Sequence, residues 1–497
     1  MDYILALDIG STNIKAVAFD EAAMPAGDAS IPCSFLINEQ HRQWQEQDPV
    51  KIFEAVTHCA AEVQKRLRGK PVAVALSSAM HSLIALDKND SPLTRCMSWA
   101  DLRGSAVANA LRDTSPGRDI YRKTGTPVHP MSPLIKIAWL RQRQPEVFGQ
   151  AAMFLGIKEF IVARLFGRKL VDYSIASASG LFDIFNYDWY RPALDFAGVG
   201  AERLPAPVDS LHRLEGLDTK GASMMGIPSD TPWIIGASDG CLANLGALVF
   251  SEQDAVVTLG TSAALRRQTT QAVDDPLGRV FNYILHRGCY ISGGASNNGG
   301  NLTQWFAKSL CAESDLEQLL AAVARVEPGA EGLLFLPFIL GERAPLWDPD
   351  VTGAFLGVRA HHTRAHFLRA VLEGMLLNLH EIGRVLTAVA GPIPRLHLNG
   401  GLARSGIIAQ MLADVFGVPV SINRSEEASA RGAAVLALRA LGRPADARTL
   451  LERQPAPQEF APDAARHGIY REISARYRDS VAAYLRHMPT ARIQVEN

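Results

Sequence analysis

Two short polar turns constrain the fold more than any other feature of the sequence. The first, Asp8-Ile9-Gly10-Ser11-Thr12-Asn13, separates the apolar runs Tyr3–Leu7 and Ile14–Phe19. The second, Gly260-Thr261-Ser262, separates Ala255–Leu259 from Ala263–Arg266. Small residues between two short apolar runs make the tip of a β-hairpin. One such hairpin opens each half of a 497-residue chain that is too long for one ordinary core. The pattern predicts two lobes of similar design, residues 1–245 and 246–442, followed by a helical extension over 443–497. Between them lie alternating elements. Asp48-Pro49 starts a helix whose apolar positions Val50, Phe53, Val56, Cys59, Ala60, Val63 and Leu67 run to an exit at Gly69. Strand Val72–Leu76 and a hairpin-like return, Leu83–Leu86, come next, and helices are predicted over Arg364–Val389, Ser405–Phe416 and Ala428–Leu441. Strands and helices in mixed order define the α/β class.

Charge and cysteine usage exclude several functions. Lys and Arg total 50 against 51 Asp and Glu, a net charge of −1, so no global basic field draws the chain to nucleic acid or an anionic membrane. The uncharged stretch Gly288–Ala307 is rich in Gly and Asn and unsuited to a bilayer, and Asp8 interrupts the apolar start where a secretion signal needs continuity. The six cysteines form no CxxC pair and no zinc spacing, which predicts reduced thiols and a cytoplasmic protein.

Neither GxxxxGK[ST], GxGxxG nor HExxH occurs. A nucleotide would therefore use another cradle, and the two hairpin tips offer one, since exposed turn amides form anion-binding nests. In the first, Thr12 adds a hydroxyl, Lys15 a positive charge, and Asp8 a carboxylate suited to Mg²⁺ through water. Gly236-Ala237-Ser238-Asp239-Gly240 joins an apolar run to a helix and admits two readings. Ser238 could be the nucleophile of a serine hydrolase, since the segment fits GxSxG. Alternatively, Asp239 could accept the proton of a hydroxyl during phosphoryl transfer. Met80-His81, and Asp101 and Arg103 beside Trp99, are polar groups fit for a polyhydroxylated ligand. Gly293–Asn301 ahead of Gln304, and Leu398–Ser405, are Gly-rich strand–helix junctions that let backbone approach a ring or phosphate.

Several long segments resemble the FGGY family of carbohydrate kinases. Met131-Ser132-Pro133-Leu134-Ile135-Lys136-Ile137-Ala138-Trp139-Leu140 is similar to one family signature. Leu336–Pro349, Gly353–Val358 and His366–Glu373 are similar to another and to its approach. The resemblance implies two ribonuclease-H-like domains of the actin/sugar-kinase type with a cleft between them, the first for sugar and the second for nucleotide. It implies ATP and Mg²⁺, with Asp239 as catalytic base, Asp8 holding Mg²⁺ through water, and Thr12 and Lys15 facing the transferred phosphate. Gly260 and Thr261 would bind phosphate, while Gly300, Gln304, Gly401, Leu402 and Ser405 would line the nucleoside. Met80, His81, Asp101 and Arg103 would hold the substrate, a small sugar or sugar acid. Ser77–Ser82, Trp99–Asp101, Thr124–Pro133, Gly156–Glu159 and Asp172–Ser177 are similar to the gluconate-phosphorylating branch, with the xylulose branch next. Gly240 stands where pentulose kinases often place Asn, which weighs against a pentulose. A hexonate would need a cation, for which Arg103, His81, His129 and Lys158 are candidates. A non-catalytic actin-like ATP-binding protein is the remaining alternative, and a homodimer is left open.

Overall fold

The first hairpin forms where its turn places it, with β1 (Tyr3–Ile9) antiparallel to β2 (Asn13–Phe19) and Gly10 N–H donating to the Asn13 carbonyl at 3.1 Å. The computed structural model describes residues 2–32, 43–67, 69–310, 316–422, 427–445 and 447–487. Cys33 and Cys311 lie outside the described residues; Cys59, Cys96, Cys241 and Cys289 are buried free thiols. Among the described residues no helix is long and apolar enough to cross a membrane.

The chain divides into two compact units, the first comprising Met1–Phe250, Gln268–Ile291 and Glu427–Pro455, the second Ser251–Arg267, Ser292–Glu426 and Ala456–Asn497. The stretch beyond residue 442 is thus shared between the units.

In the first unit β1 is buried along almost its whole length, as a central strand covered on both faces must be. β3 (Pro25–Pro32) continues the antiparallel ribbon on one side, and β4 (Pro71–Ser78) pairs parallel to β1 on the other. Between them α1 (Pro49–Arg66) starts at Asp48, whose side chain accepts from the Val50 and Lys51 amides, and buries Ile52, Val56, Cys59, Ala60 and Val63. The helix ends at Leu67, two residues short of the predicted exit at Gly69. A further helix, α2 (Pro133–Arg143), carries the buried run Leu134–Leu140. β5 (Arg213–Leu214) and β6 (Trp233–Ser238) complete a sheet of order β5-β6-β4-β1-β2-β3. The predicted return Leu83–Leu86 does not pair with β4. Its core, Ile84–Leu86, pairs antiparallel with Met153–Leu155, a partner distant in sequence that an apolar tripeptide does not announce.

β6 turns directly into α3 (Asp239–Gly246). The register of β6 on β4 shifts between Ile234 and Ala237, and Gly236 sits there at φ +71° with its missing Cβ only 1.7 Å from the Leu76 carbonyl oxygen. Such a bulge re-aims the strand end. α3 packs against the helix Ala428–Ala440 through two glycines: a Cβ on Gly246 would lie 1.9 Å from the Ala428 carbonyl, and one on Gly432 2.0 Å from that of Leu242.

The second unit repeats the plan. β7 (Ala255–Leu259) and β8 (Ala263–Thr269) form the second hairpin, with Gly260 N–H donating to the Ser262 carbonyl at 3.0 Å. β9 (Cys289–Ser296), α4 (Gly300–Leu310), α5 (Arg364–Ala390), β10 (Leu396–Asn399), α6 (Gly406–Phe416) and β11 (Val420–Ile422) follow. Within the sheet the strands of this unit run β9-β8-β7-β10-β11, with β10 parallel to β7 as β4 is to β1, and β12 (Gln458–Phe460) pairs antiparallel with β11. An antiparallel ribbon extended by parallel strands in both units is the expected ribonuclease-H-like arrangement.

Gly432→Ala should destabilise the first unit by about 1–3 kcal/mol, because the backbone of Leu242 must move to admit the methyl group. A lowered urea midpoint checks this. Gly149→Ala, where a Cβ would meet nothing within 4 Å, should leave the midpoint unchanged or slightly raised.

Candidate active site

The carboxyl ends of β1, β4 and β6 lie side by side, which is where ligands bind in α/β sheets. The register pairs Asp8 with Ser77 and Ser78 with Ser238, so Asp8 and Asp239 rise from the same edge of the sheet. Ser77 Oγ donates to Asp8 Oδ1 at 2.6 Å, and Gly240 N–H donates to Asp239 Oδ1 at 2.7 Å. Burial pushes the Asp8 carboxyl up to about 6. The nearby charges of Asp239 and Glu427 add to that shift, while the Ser77 hydrogen bond and Lys15 oppose it. Lys15 lies directly across the ladder from Asp8, and its ammonium pairs with Glu427 Oε1 at 2.7 Å. Thr12, at the hairpin tip, is exposed.

Ser238 has a different job from the one GxSxG suggests. Its hydroxyl is buried, lies 2.8 Å from Ser174 Oγ and accepts the Cys241 N–H at 3.4 Å, so it caps α3. That leaves Asp239 as the first residue inside the helix, with its carboxylate not consumed as the cap, and it removes Ser238 as a hydrolase nucleophile.

A small cavity lies against Gly10, Ser11, Met80, Ser82, Ser98 and Trp99. Trp99 Nε1 donates to Ser11 Oγ at 3.1 Å and Gln47 Nε2 to the Ser11 carbonyl at 2.9 Å, which ties the first hairpin tip to the cavity wall. His81 sits at φ +69°; its Nδ1–H donates to the Ala178 carbonyl at 2.8 Å, and Tyr283 Oη lies 3.4 Å from its Nε2. Asp101 is fully buried. Its Oδ1 accepts from Arg103 Nε at 2.8 Å, and its Oδ2 accepts from Arg103 Nη2 at 2.7 Å and from Gln45 N–H at 2.9 Å. Arg103 also reaches Glu46 Oε1 at 2.5 Å and stacks over Trp44 at 4.0 Å. Lys158 is buried against Asp172 at 2.5 Å. Both cations are committed to internal carboxylates.

The second unit gathers three glycine junctions. Gly300 N–H donates to the Gly260 carbonyl at 2.8 Å and Asn301 N–H to that of Thr261 at 3.1 Å, so the start of α4 is sewn to the hairpin tip. A Cβ on Gly300 would fall 2.7 Å from the Gly260 oxygen and 3.5 Å from Leu402 Cδ1. Gly400, at φ +97°, lets the β10 exit approach the Leu259 carbonyl, where a Cβ would come within 2.5 Å. Gly260, Thr261, Gly300 and Leu402 therefore meet. Gln304 is exposed one turn along α4 on the face of Gly300, Gly401 is exposed with nothing within 4 Å of a Cβ, and Ser405 precedes α6. Behind them Glu342 is buried and accepts from Ser296 Oγ at 2.7 Å, Asn297 N–H at 3.0 Å and Asn378 Nδ2 at 3.0 Å. Burial pushes its carboxyl up to about 7.

A carboxylate corner at parallel strand ends in one unit, and glycine-lined turns without a P-loop in the other, are features that phosphoryl transfer can use. The comparisons name the family. Residues 3–246 match the N-terminal domain and residues 255–441 the C-terminal domain of the FGGY family of carbohydrate kinases, and the chain belongs to that family. It is 39% identical to a gluconokinase of Bacillus subtilis over 89% of this chain and 88% of that protein. To a xylulose kinase of Staphylococcus epidermidis it is 27% identical over 96% of each. A gluconate kinase from Lactobacillus acidophilus superposes with a TM-score of 0.92 at 31% identity, covering 99% of both chains. A ligand-bound xylulose kinase from the same organism superposes at 0.93, also at 31% identity, covering 98% of this chain and 99% of that one.

Sequence reasoning missed Ser77, Glu427, Glu46, Ser174 and Glu342. Lys136 carried a signal that went unused, a lysine inside an otherwise apolar helical run.

Arg103→Met should lower the unfolding free energy by about 3–5 kcal/mol, since it strands the buried carboxylates of Asp101 and Glu46. Chemical denaturation without substrate measures this; a residue serving ligand binding alone would leave stability unchanged.

Proposed function

We propose that the chain transfers the γ-phosphoryl group of ATP to the primary hydroxyl of D-gluconate, giving 6-phosphogluconate. The observation that carries the chemistry is Asp239, held at the carboxyl end of β6 beside Asp8 with Oδ1 oriented by the Gly240 amide. The substrate follows from similarity, 39% identity to a gluconokinase against 27% to a xylulose kinase. D-xylulose is the second reading, because the two solved structures resemble the chain equally.

In this reading Asp239 orients the acceptor hydroxyl and takes its proton as the new oxygen–phosphorus bond forms and the bond from the γ-phosphorus to ADP breaks. The transition state is loose, so positioning and charge neutralisation contribute more than proton removal. Met80 and His81 line the acceptor side, with Asp101 and Arg103 supporting the wall beside Trp99. Gly260, Thr261, Gly300, Gln304, Gly401, Leu402 and Ser405 hold the nucleotide, and Thr12 and Lys15 meet the transferred phosphate.

Among the described residues no three His, Cys, Asp or Glu side chains are grouped to hold a metal on their own. The residues nonetheless fit Mg²⁺, which takes one or two carboxylates and fills its shell with phosphates and water. Asp8, whose carboxyl is pushed up to about 6 by burial first and by the charges of Asp239 and Glu427 second, would hold the ion through water. When bound, Mg²⁺ supplies neutralisation of the phosphate oxygens. The need for ATP suits a cytoplasmic enzyme.

A coupled assay of ADP release against a sugar panel tests the assignment. D-gluconate should give the highest kcat/KM, and a clear preference for D-xylulose would replace it with the second reading. Asp239→Asn should lower kcat by roughly 10²–10⁴-fold with nucleotide affinity within a few-fold of the parent. Near-normal turnover in that variant would remove Asp239 from the chemistry.

A further inference from the structure

Lys136 is the fourth residue of α2 and is fully buried, yet no carboxylate touches its ammonium among the contacts the structure records. Its Nζ donates instead to three backbone carbonyls: His81 at 2.5 Å, Ser98 at 2.7 Å and Met97 at 3.4 Å. An ammonium has three N–H donors, and all are used on main chain from two separate segments. Those segments form the cavity beside the first hairpin tip, which Met80, Ser82, Ser98 and Trp99 line. The His81 carbonyl belongs to a residue in the left-handed region at φ +69°, a conformation that costs energy in a non-glycine residue and persists where surrounding bonds hold it.

We propose that Lys136 is a positioning residue for the acceptor: by binding the His81 and Ser98 carbonyls together it fixes both walls of the acceptor pocket. The inference rests on the reading of that pocket as the sugar site. Lys136 acts through backbone and touches neither the sugar nor ATP. A neutral side chain of similar length would fill the space but release both carbonyls, so the walls would loosen while the nucleotide cradle of the other unit stays as it is. Burial holds the Lys136 ammonium down to about 8. Asp101 and Cys96 face it and favour the charged form, and Arg103 disfavours it. The neutral amine keeps two N–H donors but loses the third and the charge that strengthens each bond, so a smaller loss of the same kind should occur in the parent enzyme as pH rises through that value.

Lys136→Met tests this by steady-state kinetics with each substrate varied in turn. The expected result is a KM for the acceptor raised tenfold or more, with the KM for ATP within twofold. In the parent, the acceptor KM should climb several-fold between pH 7 and 9.5 while the ATP KM stays level. An acceptor KM within twofold of the parent, or a parallel rise in both constants, would overturn the proposal. Should the variant fail to fold, a flat acceptor KM across that pH range in the parent would overturn it as well. Failure of the gluconate reading shows separately, as preference for another panel acceptor by the parent, and the split is then read with that acceptor.

Discussion

The structure of the first unit turns on a concentration of negative charge. Asp8, Asp239 and Glu427 lie near enough for the last two to raise the pKa of the first, with Lys15 as the cation that opposes them. Carboxylates in a partly desolvated place repel one another, and such a corner persists when hydrogen bonds and rigid elements hold each in position. The Ser77 hydroxyl serves Asp8, the Gly240 amide serves Asp239, and the Lys15 ammonium serves Glu427. The elements follow from that need. Three parallel strand ends deliver Asp8, Ser77 and Asp239 to one edge; the glycine bulge at Gly236 sets the last turn of β6; the Gly246–Gly432 contact brings in the helix that begins beside Glu427. A corner so charged favours a cation, as the proposed function requires of it.

The second unit repeats the architecture with a different chemistry. It has the same hairpin and the same parallel extension, but its hairpin tip carries Thr261 and Ser262 where the first unit has Ser11, Thr12 and Asn13, and glycine replaces charge at its junctions. Close backbone approach, as at Gly260–Gly300 and Leu259–Gly400, makes room for a flat ring and offers main-chain polar groups. One fold thus carries a charged corner in one copy and glycine-lined junctions in the other.

What was legible in the sequence was local. Both hairpins were readable because turn residues act over a few positions, and α1 was readable from Asp48-Pro49 and its apolar spacing. Asp239 was legible as a strand–helix corner, although which of Ser238 and Asp239 capped the helix needed coordinates. What stayed hidden was long-range. Glu427 is 412 residues from Lys15, and nothing near either residue announces the pair. Glu46 makes the Asp101–Arg103 pair part of a buried network, and the partner of Ile84–Leu86 lies beyond four helices. Lys136 stood out as a lysine inside an apolar run, but its partners are carbonyl oxygens, which leave no trace in side-chain identity.

The charged corner is tested most directly by the titration of Asp8 itself, followed through its carboxyl ¹³C resonance in selectively labelled protein without ligands. The midpoint should fall at about 6, and replacing Asp239 with Asn should lower it. A midpoint near the ordinary aspartate value, unmoved by that replacement, would show that these carboxylates do not share one desolvated site.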